Sequence, residues 1–104
     1  MRWNWDSGKD RANRRKHGLG FATAQQVFDD PLALSVPDPY PLEERWRTVG
    51  MIGTVVVLVV HTAPEPAAHI SSPGDGGTGE ETGRIISARK ATAHERKAYE
   101  EGTL

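Results

Sequence analysis

Arg89 and Lys90 stand between two local signals. Before them, Arg84-Ile85-Ile86-Ser87-Ala88 is short and β-branched at its centre, which predicts a strand. After them, Thr92-Ala93-His94-Glu95 spells a capping box, in which Thr92 accepts from the N–H of Glu95 and Glu95 reaches back to the N–H of Thr92. The two cations are therefore expected on the turn where strand becomes helix. Backbone N–H groups at a helix start favour anions. Cations beside that start make an anion site, and the natural polyanion is nucleic acid. His17 and His61 add imidazoles, the side chains that ordinarily titrate near neutral pH. Each has a plainer role in competition. His17 closes the run Arg14-Arg15-Lys16, where a helix end suits positive charge. His61 ends an apolar run, where a hydrogen-bonded rim residue is commoner than a catalyst.

The elements that must position these residues can be read in order. Arg2–Trp5 alternates and predicts a short strand, with Trp3 and Trp5 on one side. Asp6 caps a helix over Ser7–His17, and Gly18 supplies its left-handed end. Ala22–Asp29 predicts a second helix with Phe21, Ala24 and Phe28 on its apolar stripe, stopped by Pro31. Leu32–Val36 and Arg45–Ile52 predict strands, the latter with Arg45, Arg47, Val49 and Met51 on one side. Gly53-Thr54 marks a tight hairpin. Val55–Thr62 is an apolar run without alternation, so it belongs at the centre of a sheet, buried on both faces. Residues 63–82 are rich in Pro, Gly and Ser and predict a mobile loop. The final helix, Thr92–Glu101, carries Tyr99 as an anchor or a substrate contact and ends at Gly102. The fold expected is α+β: a mainly antiparallel sheet of four to five strands, pairing as consecutive hairpins, with two N-terminal helices and one C-terminal helix.

At 104 residues the chain is one domain by length, without cysteine and with net charge −1. The apolar run Val55–Val60 is far shorter than the ~20 residues that span a bilayer, so a soluble, cytoplasmic protein is expected. Charge is uneven. Arg2, Lys9, Arg11, Arg14, Arg15 and Lys16 face only Asp6 and Asp10 near the start, and Arg84, Arg89, Lys90, Arg96 and Lys97 face only Glu95 near the end. The middle is acidic. If the ends meet, they form a basic face on a neutral protein. Gly74, Gly76 and Gly79 spell G-x-G-x-x-G but leave a loop and precede a strand, so no dinucleotide site is expected. His61, His69, Asp75 and Glu80 lack metal-ligand spacing on one element, and neither a metal nor a cofactor is called for.

The blocks WDSGKDRANRRKHGLGF, VFDDPLAL, ERWRTVG, VVHT and RIISARKAT–ERKAYE, taken in order, resemble the BrnT family of toxins of bacterial type II toxin–antitoxin pairs. The connection at 63–82 departs from the family's usual shorter form. The resemblance implies a fold similar to the RelE group of small ribonuclease toxins, RNA cleavage and inhibition of translation. It also implies a BrnA-type antitoxin whose ribbon-helix-helix region binds operator DNA; a complex of two copies of each chain is expected, so that a dimeric DNA-binding module can form. By motif it implies roles for Lys16, His17, Arg45, Trp46, His61, Arg84, Ser87, Arg89, Lys90, Glu95, Arg96 and Tyr99.

RNA can be cut without a metal when its own 2′-OH attacks the adjacent phosphorus. A base must take the hydroxyl proton, an acid must protonate the leaving 5′ oxygen, and cations must hold the phosphorane. His17, His61 and Glu95 are the candidates for proton transfer. Arg84, Arg89 and Lys90 are the candidates for phosphate holding. Lys16, Arg45, Arg96 and Tyr99 would contact RNA. Two functions remain open on the sequence: an endoribonuclease toxin, or a non-catalytic subunit that binds and orients a DNA-binding antitoxin.

Overall fold

The computed structural model describes residues 2–62, 65–66 and 81–103. The element order is β1 (Arg2–Asn4), α1 (Ser7–His17), α2 (Phe21–Ala24) continued by a 3-10 turn (Gln25–Asp29), β2 (Leu34–Asp38), β3 (Arg45–Ile52), β4 (Val55–Thr62), β5 (Glu65–Pro66), β6 (Glu81–Lys90) and α3 (Ala93–Glu101). The strands run β1-β6-β4-β3-β2 across the sheet, and β5 pairs with β6. The apolar run β4 lies at the centre, as its lack of alternation required. Ile52 pairs with Val55, so Gly53-Thr54 is a two-residue hairpin loop, with Gly53 at φ 61.

The sheet is mixed where consecutive hairpins were expected. β1 pairs parallel with β6, Trp3 opposite Gly83. Parallel pairing needs a long crossover, and the whole intervening chain supplies it. The Trp3 ring lies flat against Gly83, where a Cβ would sit 2.5 Å from it. Only glycine admits the indole there.

The second helix is a single turn, not the expected Ala22–Asp29. After Ala24 the chain tightens to three residues per turn. That brings Phe21, Ala24 and Val27, spaced by three, onto one line, and all three are fully buried. β2 starts two residues later than predicted because Asp30 takes the N–H of Leu32 on its side chain (2.9 Å) and that of Ala33 on its carbonyl (3.0 Å).

The two faces of the sheet are covered unequally. On one, α1, α2 and the 3-10 turn enclose Phe21, Ala24, Val27, Val57, Val59, Ile85 and Ala88. α1 is fastened by buried Asn13, whose amide donates to the carbonyls of Leu19 and Ala88 (both 2.8 Å) and accepts from Ala88 N–H (3.2 Å). The side chain thus takes the place of a neighbouring strand on the open edge of β6. On the other face, Ala91 and Tyr99 pack over Val49, Val56 and Leu58. α3 holds its place because the Tyr99 hydroxyl donates to Asp30 (2.5 Å). Residues 65–66 and 81–82, placed in the loop by sequence, are paired strand; the remainder of the expected mobile loop lies outside the described residues.

Candidate functional site

The strand carrying Arg84, Arg89 and Lys90 is longer than predicted and runs to Lys90. Arg89 pairs with Leu58 and Lys90 with Val57, so both belong to the sheet and not to the turn into the helix. That corrects the expected site. Consecutive strand residues point to opposite faces, so Arg89 shares its face with α3, and Lys90 shares the α1 face with Val57.

A β-bulge decides where Arg84 goes. Val60 pairs with Ser87, but His61 pairs with Ile85, leaving Ile86 as the extra residue. The shift in parity turns Ile85 into the core beside Ala88. It also carries Arg84 to the face of Ser87 and Arg89. On that face the cross-strand rows are Arg45–Thr62, Arg47–Val60–Ser87 and Val49–Leu58–Arg89. Arg84 joins the first row, its backbone N–H donating to Thr62 Oγ1 (2.9 Å). α3 packs on the third row, and the first two stay partly exposed.

The guanidiniums of Arg45, Arg47, Arg84 and Arg89 each meet a carboxylate. Glu43, on the loop before β3, accepts from Arg45 Nε (2.9 Å) and from Arg84 (2.9 and 3.2 Å). Arg45 also lies over the Tyr40 ring at 3.7 Å. Asp38 accepts from Arg47 (2.6 Å). Glu95 takes Arg89 through two parallel bonds of 2.8 and 3.0 Å and completes the Thr92 capping box. Arg89 holds the Glu95 carboxyl down at about 2, and Arg45 and Arg47 lower Glu43 and Asp38. All three acids are ionised at neutral pH.

Tyr99 is spoken for. Its bond to Asp30 pushes the phenol up to about 12. Desolvation raises Asp30, but Tyr99 and the N–H groups of Leu32 and Met51 outweigh it and leave the carboxyl low. Arg96 is exposed on α3.

His61 lies on the opposite face, 4% exposed, edge-on to the stacked rings of Trp3 and Phe28. Nδ1 bonds the Thr62 carbonyl (2.7 Å), so it carries the hydrogen. Nε2 then accepts from the Thr48 hydroxyl (2.6 Å), which in turn accepts from Ser35 (2.8 Å). Burial lowers its pKa against the raising effect of the Thr62 bond. This is a neutral imidazole tying β2, β3 and β4 together, out of reach of a substrate. Trp46 is half-buried on the same side, opposite His61 in the ladder. His17 and Lys90, from distant parts of the chain, line one cavity on the α1 side, and Lys16 is exposed in the same last turn of α1.

The structure therefore divides the predicted residues. Arg45, Arg84, Arg89, Glu95 and Tyr99 fall on the α3 side of the sheet; Lys16, His17, His61 and Lys90 do not. Arg47, Glu43 and Asp38 were missed as members of the first group. The alternation of β3 already placed Arg47 with Arg45; nothing local marked the two acids. Among the described residues no group of three or more His, Asp or Glu could hold a metal ion, and no helix is long and apolar enough to cross a membrane.

Fold and face define a small mixed α+β domain that presents arginines from two strands on one partly open side of its sheet. Residues 5–95 match the family described as the ribonuclease toxin, BrnT, of type II toxin–antitoxin systems, and the chain belongs to that family. Such a system implies an antitoxin partner. No curated protein matches the chain.

Proposed function

We propose that the protein is an endoribonuclease toxin that cleaves RNA in the cytoplasm, inhibits translation, and is neutralised by a BrnA-type antitoxin. Likeness to the RelE group of small ribonuclease toxins is part of this reading. The observation that supports it is the gathering of Arg45, Arg47, Arg84 and Arg89 on one side of the sheet, around Ser87. β3 and β6 flank β4, so their backbones lie about two strand spacings of ~4.8 Å apart. The long arginine side chains close that gap, and Arg45 and Arg84 meet at Glu43, where both can address one phosphodiester. Arg84 and Arg45 already share one carboxylate, Glu43, and a phosphate would take its place. The exchange costs little, because Glu43 is solvated and solvent screens its ion pairs with Arg45 and Arg84.

In the reaction, the 2′-OH attacks the adjacent phosphorus. The displaced Glu43, or Glu95, is ionised and accepts the hydroxyl proton as the O2′–P bond forms. The P–O5′ bond then breaks to leave a 2′,3′-cyclic phosphate, and the 5′ oxygen takes its proton from water. The arginines hold the growing negative charge of the phosphorane, the kind of preorganised stabilisation that contributes most to such a step. Neither a metal nor a cofactor enters this scheme. His61 supports the sheet, and Tyr99 and Asp30 hold α3 beside the face.

The test is RNA cleavage and growth arrest on induction without the antitoxin. Arg84→Ala combined with Arg45→Ala should lower cleavage at least a hundredfold, because two charge-assisted contacts of ~1.5–3 kcal/mol each are lost and ~1.4 kcal/mol is tenfold in rate. The double variant should still fold. Full cleavage by that variant, with loss of cleavage in His17→Ala, would transfer the chemistry to the α1 side. A second reading, a non-catalytic antitoxin-binding subunit, has one observation in its favour: Arg45, Arg47, Arg84 and Arg89 are all neutralised at rest. Tight antitoxin binding without any RNA cleavage by the unaltered chain would establish it.

A further inference from the structure

The cavity on the α1 side takes no part in the scheme above. It measures about 180 Å³ and lies where the end of α1 meets the β3–β4 hairpin and the end of β6. Leu19, Ile52 and Val57 make its wall apolar. At the rim, Val55 is 39% exposed. His17 and Lys90 stand at the same rim. Lys90 is exposed and, among the described residues, has no ion-pair partner; the same holds for Arg15 and Lys16 in the adjoining last turn of α1. Here the cations are unmatched, whereas on the arginine face each is paired.

We propose that this cavity is a docking point for the antitoxin, taking one apolar side chain into the pit and an adjacent carboxylate onto Lys90 and His17. The inference rests on the antitoxin partner of the proposed function, but not on where RNA is cut. An apolar anchor in a pocket, ringed by polar contacts, is how binding energy concentrates at interfaces. The unmatched charge selects an acidic segment. A nucleobase fits less well, because its edge carries donors and acceptors throughout, whereas Leu19, Ile52, Val55 and Val57 offer it none and the polar groups of His17 and Lys90 stand only at the rim. The face on which RNA is held would then remain separate from at least one antitoxin contact.

The experiment uses the full-length cognate antitoxin, titrated onto the unaltered chain, Val55→Glu and Lys90→Glu, with a melting curve for each. Val55 is exposed, so Val55→Glu should fold normally and cut RNA normally while binding the antitoxin at least tenfold more weakly. Lys90→Glu should weaken binding in the same direction. Unchanged affinity in both variants would overturn the cavity proposal and leave the toxin reading intact. Failure of the unaltered chain to bind would overturn both. A nuclear magnetic resonance titration with adenosine 3′-monophosphate that moves the His17 and Val57 signals, where the antitoxin does not, would also overturn it in favour of a nucleotide site.

Discussion

Glu95 shows how one side chain can join two elements. It closes the capping box of α3 and takes Arg89 of β6 by two bonds, so a carboxylate 16% exposed links helix to sheet. Its pKa falls from 4.5 to about 2. A depressed carboxylate adds stability that is fully present above the unfolded value and is lost as pH falls through the folded one. Arg89 is 37% exposed, so solvent screening discounts the contribution to about 1–2 kcal/mol. Urea unfolding of the unaltered chain and Glu95→Gln should therefore differ by that amount at pH 7. The gap should narrow below pH 4.5 and close near pH 2. A constant gap across that range would show that the pair does not hold the shift. The same geometry makes Arg89→Ala a mixed change, costing both stability and phosphate holding. Arg84→Ala, at an exposed rim position, is the cleaner test of function.

At the scale of elements, the edge of β6 is the sensitive place. Asn13 satisfies both backbone groups of Ala88 from a helix, with Leu19 as a further partner. Asn13→Leu keeps the branching at Cγ but strips three hydrogen bonds and orphans a buried N–H and carbonyl, at ~1–3 kcal/mol for each unsatisfied group. The expected loss is about 2–4 kcal/mol in urea unfolding, with amide exchange at Ala88 accelerated. Arg15→Ala, two residues on and exposed, should change stability by less than ~0.5 kcal/mol. Equal effects of the two would mean that Asn13 does not fasten α1. A related expectation concerns β1. Any side chain at Gly83 collides with the Trp3 ring, so Gly83→Val should detach β1, exposing Trp3 and red-shifting tryptophan emission while α3 and the β3–β4 hairpin persist.

Taken whole, the molecule places its basic ends together but not on one surface. α1 packs on β6, yet the sheet lies between the arginine face and the His17–Lys90 cavity. A partner covering only one side leaves the other accessible. With a ribbon-helix-helix region that binds DNA as a dimer, the BrnA-type antitoxin proposed above would give a complex with two copies of each chain. Light scattering of the purified complex checks that stoichiometry. Operator DNA should shift in a gel with the complex and not with the toxin alone, because the helices among the described residues, α1, α2 and α3, all pack on the sheet. Sequence-specific binding by the isolated chain would contradict that division of labour.

What the sequence determined by itself was local. Asp6 and Gly18 bound α1, the capping box opens α3, Gly53 turns the hairpin, and an unbroken apolar run takes the centre of the sheet. Each of those signals acts through groups a few residues apart, so the order of residues is enough to read it. The site was decided by tertiary structure. Asn13 meets Ala88 across 75 positions, and Arg84 meets Glu43 across 41; no local pattern announces either pairing. The bulge at Ile86 reverses the face of Arg84, because strand alternation has a period of two and one inserted residue inverts everything before it. Arg89 and Lys90, neighbours in sequence, end on opposite sides of the sheet for the same reason of parity. His61 ends in the core, because Thr48 and the Thr62 carbonyl satisfy both its nitrogens there and so remove the cost of burying them.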